Sequence, residues 1–338
     1  MKDHAMTNRR AVLGAVLALA ATVAAPSGAH AADKFTIMVG GIEKQIYLPA
    51  ALTESLGYFK DEGLDVQILN EGAGVNAEKE LLAGAVQGVV GFYDHCVDLQ
   101  PKGKFVESVV QFSQAPGEVE MVSTKHPEIK SMADIKGKTL GVTGLGSSTN
   151  FLTQYLATRA GVPVGQYTVL GVGAGTTFIA AMQQDRIQLG MTTEPTISRL
   201  LATGQARVLV DMRDVAKTKE ALGGTYPAAS FYMETSYVDS HKELVQKLTN
   251  AFVKTLKYIH THTAAEITEK MPKSFYTADK AAYIKALADG KSMFTPDGVM
   301  PEGGPETVLA VLQAKESMKG KKVDLSKTYT TEFVKNAK

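Results

Sequence analysis

The sequence predicts an α/β chain of two similar lobes, each a mixed sheet flanked by helices, with a two-strand hinge between them. Three observations carry this. The chain has 338 residues, beyond the roughly 250–300 at which a single core stops growing. Strand and helix patterns alternate through two successive series at the spacing of βαβ units. A lysine-rich helical tail follows, and two extended runs separate the regions.

The chain opens on Lys2, Arg9 and Arg10, then an apolar stretch Ala11–Ala25 and the small-residue pattern Ala29-His30-Ala31. A basic start, a short apolar run and an A-x-A end make a cleavable export signal over residues 1–31. The run is shorter than the roughly 20 residues a membrane span needs. Asn8-Arg9-Arg10 resembles a twin-arginine string, so export by either the general or the folded-protein route fits. Loss of Lys2, Asp3, Arg9 and Arg10 with the leader leaves 33 basic and 34 acidic residues, a net charge of −1. That balance lacks the basic excess of a nucleic-acid protein. Cys96 is the single cysteine, which excludes an internal disulfide and a cysteine-based zinc site.

In the first series, Phe35–Val39 reads as a strand closed by Gly40-Gly41. Tyr47–Leu56 reads as a helix, with Pro49 in its first turn and Gly57 past its end. Strands are expected at Leu64–Leu69, Gly88–Gly91 and Phe105–Phe112, and a helix at Asn76–Ala83. The second series gives strands at Thr139–Thr143, Tyr167–Leu170, Ile187–Met191 and Arg207–Val210. Helices fall between them at Asn150–Ala160, Thr176–Gln184 and Pro195–Ala202. Beyond His241 the helical patterns are Leu244–Thr261, Ala278–Ala288 and Thr307–Met318. Lobe 1 is therefore expected over 32–118 with 234–338, lobe 2 over 124–227, and the hinge at 119–123 and 228–233. Ligands of open parallel sheets bind outside the strand carboxyl ends, so a cleft lined by strand-end loops follows.

Those loops hold the candidate binding residues. Gly144–Asn150 joins two glycines, Ser147, Ser148 and Thr149 to a helix start, where free N–H groups and a partial positive charge suit one small anion. A helix cap by either serine reads equally well. The first turn offers Glu43, Lys44, Gln45 and Tyr47, and the third strand ends in Phe92, Tyr93, Asp94 and His95. Neighbours on a strand point opposite ways, so one of Phe92 and Tyr93 belongs to the core. Thr176 opens a helix after Gly171–Gly175, and Glu194 precedes Pro195 at a strand end. No G-x-S-x-G elbow or Walker sequence occurs, and Gly144-x-Gly146 lacks the third glycine of a dinucleotide fingerprint. His260 and His262 stand two apart on a helix and point to different sides. No catalytic residue, metal or cofactor is implied.

The run Tyr47–Val66, ending Gly57-Tyr58-Phe59-Lys60-Asp61-Glu62-Gly63-Leu64-Asp65-Val66, resembles the periplasmic solute-binding proteins of ABC importers. Within them it resembles the sulfonate, taurine, nitrate and thiamine-pyrimidine binding family. Leu81–Gly84, Asp134–Val142, Gly146–Thr149 and Thr193–Pro195 extend the likeness over about residues 35–215. The resemblance implies the two-lobe type II periplasmic-binding-protein fold, a periplasmic location and closure over a small ligand. It also implies docking of the closed lobes on an inner-membrane permease, and a monomer is expected. Lys44, Gln45, Tyr47, the Phe92–His95 loop, Ser147–Thr149 and Glu194 become the implied contacts. The sequence favours a small organic anion, a sulfonate or carboxylate, with an apolar or aromatic body. A pyrimidine or thiamine-precursor binder is the alternative, with Asp94, Glu43 and Glu194 pairing to ring donors. An enzyme resembling the thiamine-pyrimidine synthases of the same fold is a further one, but their cysteine-rich iron motif is missing here.

Overall fold

The computed structural model of the chain describes residues 33–277 and 279–338, so the expected leader lies outside the described residues. The first sheet contains β1 (Asp33–Val39), β2 (Leu64–Asn70), β3 (Gly88–Phe92) and β4 (Val106–Gln111). Between them lie α1 (Leu48–Ser55), α2 (Tyr58–Asp61), α3 (Gly74–Leu82) and α4 (Asp94–Leu99). The second half adds β5 (Glu118–Ser123), β6 (Thr139–Val142), β7 (Thr168–Gly171), β8 (Leu189–Thr193) and β9 (Ala206–Met212). Its helices are α5 (Ser148–Arg159), α6 (Thr176–Gln183), α7 (Thr196–Ala202) and α8 (Val215–Leu222). After β10 (Ala229–Glu234) come α9 (Thr235–Ser240), α10 (Lys242–Thr261), α11 (Ala264–Lys270), α12 (Lys280–Gly290), α13 (Gly304–Leu312) and α14 (Glu332–Lys335). The strands arise where β-branched and aromatic residues run between glycines. Helix α1 starts with Pro49 inside its first turn and gives way to Gly57 at φ 78°.

The two sheets have the same plan. Strand order is β2-β1-β3-β10-β4 in one and β7-β6-β8-β5-β9 in the other. In each, the first three strands are parallel and the fourth is antiparallel to both its neighbours. This is the predicted pair of mixed sheets flanked by helices.

The extended runs at 119–123 and 228–233 are not free crossings. They lie in β5 and β10, the antiparallel fourth strands, each taken into a sheet by the chain that has just left the other. The crossings come one step earlier in the chain, at residues 112–117 and 213–228. They bond to one another where Ala228 N donates to Ser113 O, and Ser113 N donates to Ala229 O at the start of β10. Strand β5 is buried along its whole length, as a strand paired on both sides and covered on both faces must be. An extended run looks the same whether it crosses between sheets or joins one; its pairing partners, distant in sequence, decide.

The main core joins sheet one to the helical tail. Phe252 of α10 packs against Phe59, Phe112 and Phe231 with ring centroids 5.3, 4.9 and 5.0 Å away. Helix α10 reads from sequence because its apolar residues recur at helical spacing on the buried face. The expected helix Ala278–Ala288 is α12, and Ala278 itself falls outside the described residues. The expected Thr307–Met318 divides into α13 and a 3₁₀ turn at Glu316–Met318. One face of sheet two has its own cluster, including Val119, Met121, Phe178, Ile187 and Ile197. Among the described residues no helix is long and apolar enough to cross a membrane.

Candidate functional site

The loops leaving the carboxyl ends of β1, β2 and β3 meet those leaving β6 and β8, and polar groups bond across the meeting plane. Asp94, first residue of α4, accepts from Ser148 Oγ of α5 at 2.8 Å and from Tyr226 OH of the second crossing at 2.8 Å. Val75 N of α3 donates to Ser147 Oγ at 3.2 Å, and Gln45 N donates to Glu194 O at 3.2 Å. Gly144, after β6, makes part of this approach possible: a Cβ there would stand 3.0 Å from Ala73 Cβ and 3.4 Å from Val75 Cγ1.

Lys44 is buried, its stem folded over Gly41 and its Nζ bonded to Gly40 O at 2.6 Å. Gly41 has φ 117°, so a side chain there would be strained as well as in contact with the lysine. Burial pulls the Lys44 ammonium down to about 8, and Glu118 on β5 opposes that shift. Tyr47 and Phe92 meet edge to face at 6.0 Å, a buried aromatic wall beside Lys44. Burial raises Asp94 above the ordinary carboxylate range, against the pull of His95, Tyr226 and Ser148. Burial alone would lower His95, but the Glu78 carboxylate held against its Nδ1 outweighs it and the net shift is upward. The ring also stands edge-on to Phe151 of α5 at 6.0 Å, so His95 packs at the meeting plane.

Of the predicted residues, Lys44, Gln45, Tyr47, Phe92, Asp94, His95, Ser147, Ser148 and Thr149 come together there and are buried. Several are already engaged. Gln45 Nε2 donates to Tyr283 O, and Thr149 Oγ1 accepts from Thr143 N while pairing with its hydroxyl. Four others are placed differently. Tyr93 points into lobe 1, where its hydroxyl pairs with Thr328 and its ring with Tyr329, because strand alternation sends Phe92 to the opposite side. Thr176 is exposed. Glu194 accepts from Ser198 N and pairs with Arg213 at 3.3 Å, so it serves the start of α7. Glu43 is exposed at the cleft mouth, where it lines a cavity of about 240 Å³ with Lys44, Glu194 and Arg199. An adjoining cavity of about 170 Å³ carries Phe275, Tyr276 and Tyr283.

Two residues escape the sequence reading: Tyr226 and Glu118. Glu118 and Glu120 alternate with Val119 and Met121 in a wholly buried strand. Two carboxyls on one face of an apolar strand are the signal that could have found them, since buried acids are rare without a purpose. Burial drives Glu118 well above the carboxylate range, with Asp94 adding to the shift and Lys44 opposing it. Glu120 accepts from Thr153 Oγ1 at 3.0 Å, and burial holds it up at about 8 despite that bond.

Glu120 predicts a pH dependence. Its pKa is raised on folding, so the folded protein keeps a proton that the unfolded chain releases between about pH 4.5 and 8. Its contribution is full below pH 4.5 and is lost as pH rises through that window. Glu107, raised to about 7, adds a similar slope. Melts of the wild type and E120Q across pH 4.5–8 should therefore differ in slope, with E120Q flatter; parallel curves would exclude this account.

Among the described residues no group of three or more His, Cys, Asp or Glu side chains could hold a metal ion. Cys96 is buried and its thiol is pushed well up by that burial, which makes it a packing group.

Comparison with known proteins places this geometry. A family model described as NMT1/THI5 like matches residues 47–266, more than half of the chain. A solved structure of a Bordetella bronchiseptica RB50 protein superposes with TM-score 0.86 at 35% identity, covering 90% of this chain and 96% of that one. The alkanesulfonate-binding protein SsuA from Xanthomonas axonopodis pv. citri, solved bound to MOPS, superposes with TM-score 0.71 at 16% identity, covering 88% and 98%. The periplasmic nitrate-binding protein NrtA from Synechocystis PCC 6803 does so with TM-score 0.69 at 11% identity, covering 90% and 87%. At those identities the last two share the fold.

Proposed function

Because the chain belongs to the NMT1/THI5-like family and has the fold of periplasmic binding proteins, we propose that it is the solute-binding component of an ABC importer. It captures a small organic anion between its lobes in the periplasm and presents the closed form to an inner-membrane permease. The observation that carries this is the polar meeting plane at the strand ends, where Asp94 of one lobe is bonded to Ser148 of the other and to Tyr226 of the crossing between them. A contact of this kind exists only when the lobes are together, so ligand and closure are coupled through it.

The anion class draws support from three sources. Lys44 supplies a buried cation. The first turn of α5 directs N–H groups without helical partners toward the same plane. Tyr47 and Phe92 offer an apolar wall for an organic body. SsuA and NrtA are named for sulfonate and nitrate, and their shared fold is consistent with an anionic solute. The carboxyls of Asp94 and Glu118 beside Lys44 weigh against plain nitrate. They favour, as a second reading, a pyrimidine or thiamine precursor; of the acids first considered for that role, Asp94 alone has its carboxyl in the plane, since Glu43 is exposed and the Glu194 carboxylate is paired with Arg213.

The test is a dye-based thermal shift of the protein without residues 1–31, since the sequence has no tryptophan for intrinsic fluorescence. Sulfonates, aromatic and aliphatic carboxylates, nitrate and pyrimidines form the panel. A ligand at 100 times its Kd should add about 2.7 kcal/mol and raise the midpoint by several degrees. A shift with one organic-acid class assigns the solute. A shift with pyrimidines alone moves the protein to the second reading, and protein purified with bound iron or pyridoxal phosphate would reopen an enzymatic one.

A further inference from the structure

Glu118 stands at the head of β5, and the sheet register sets it directly beside Thr193, the last residue of β8. Their side chains therefore rise from the same face, at the carboxyl end of the parallel strands. Both are buried, at 2% exposure each, and neither Glu118 Oε2 nor Thr193 Oγ1 has a hydrogen-bond partner. Glu120 Oε1, Thr192 Oγ1, Asn150 Nδ2 and His95 Nε2 are likewise without a partner, but the side chains that bridge the two lobes are engaged. Asp94, Ser147, Ser148 and Thr149 are all bonded within the meeting plane. On its own strand Glu118 has Glu120, which is bonded to Thr153 of α5. Across the plane the charged groups acting on it are Lys44 and Asp94, with Tyr47 and Tyr226 also in range. Lys44 is bonded to Gly40 O and forms no ion pair with Glu118.

A buried carboxyl oxygen without a partner is costly and needs a reason. Here it stands beside a free hydroxyl and across from a buried ammonium, at the strand ends where this fold receives a ligand. We propose that Glu118, with Thr193, is a specificity-determining residue that accepts a hydrogen bond from an N–H or O–H of the ligand. This rests on the organic-anion reading above and narrows it. The solute is an amino- or hydroxy-substituted organic acid, its acid group at Lys44 and its donor at Glu118. A plain acid or an inorganic anion would leave Glu118 Oε2 unpaired, which a site built around that acceptor rejects strongly.

Matched probes test this by calorimetry on the mature protein: taurine against ethanesulfonate, and 4-hydroxybenzoate against 4-methylbenzoate, with cytosine as a donor that carries no acid. In at least one pair the donor-bearing member should bind ten or more times tighter, and E118A should erase the difference. Equal binding within every pair that binds, or an unchanged ratio in E118A, overturns the role of Glu118 and leaves the organic-anion reading standing. If cytosine alone binds, the organic-anion reading falls. The role of Glu118 then survives if E118A abolishes cytosine binding and falls if it does not. E118Q supplies a readout that needs no ligand. Replacing a buried carboxyl that has no partner with an amide of the same shape should hold or raise the melting midpoint of the ligand-free protein, and a lower midpoint marks Glu118 as structural and sinks the proposal even where no probe binds.

Discussion

Replacing Asp94 with alanine is expected to lower affinity for the bound solute by about 100-fold. The alanine leaves the hydroxyls of Ser148 and Tyr226 without their acceptor in a buried plane, and an unpaired buried donor costs about 1–3 kcal/mol. Together they remove about 3 kcal/mol from the closed arrangement, which is about two decades in an equilibrium constant. Because the open form exposes those hydroxyls to water, the cost falls on closure. The radius of gyration of D94A in saturating ligand should accordingly stay at its ligand-free value. D94N separates hydrogen bonding from charge. Its amide oxygen can accept from Ser148 and its NH2 can donate to the Tyr226 oxygen, so it should lie within tenfold of the wild type. Wild-type affinity and compaction in D94A would show that this contact plays no part in closing the lobes.

Phe252→Ala should be the most destabilising single truncation, at about 3–5 kcal/mol, or about 10 °C in the melting midpoint. Phe252 is fully buried and touches three aromatic rings from three different parts of the chain. Phe59 belongs to α2, Phe231 to β10 and Phe112 to the first crossing. The substitution therefore opens a cavity where the helical tail, the first sheet and the connection between lobes meet. Edge-to-face and tilted ring contacts add to the loss of buried area. Phe252→Leu, which refills most of the volume, should recover over half of it. A midpoint change in F252A below about 3 °C would mean that the tail contributes little to holding the first lobe.

Local elements were legible because their causes are local. Phe35–Val39, Leu64–Leu69 and Thr139–Thr143 carry β-branched and aromatic runs ended by glycines or turns, and each lies within a residue or two of an observed strand. The long amphipathic α10 repeats its apolar stripe over five turns, which one sequence window can see. Short helices such as α4 and α11 were missed: at six and seven residues they give too few turns for a period. Helix α4 is also buried throughout, so it shows no polar face to alternate with.

The candidate site was half legible for the same reason. The turns and loops that follow strands named Lys44, Asp94 and Ser147–Thr149 as candidates, and the structure buries all of them. Which way a side chain points is a long-range matter. Tyr93 turned into the lobe because Phe92 faced the cleft, Glu194 went to Arg213, and the runs at 119–123 and 228–233 became strands of the sheets they had just entered. The sequence by itself determined that this chain is two α/β lobes with polar strand ends. Only the tertiary structure decided that Glu118 and Tyr226 belong to the meeting plane, because their neighbours there, Lys44 and Asp94, stand 74 and 132 residues away, and a sequence pattern carries no term for a contact whose partners are joined only by folding.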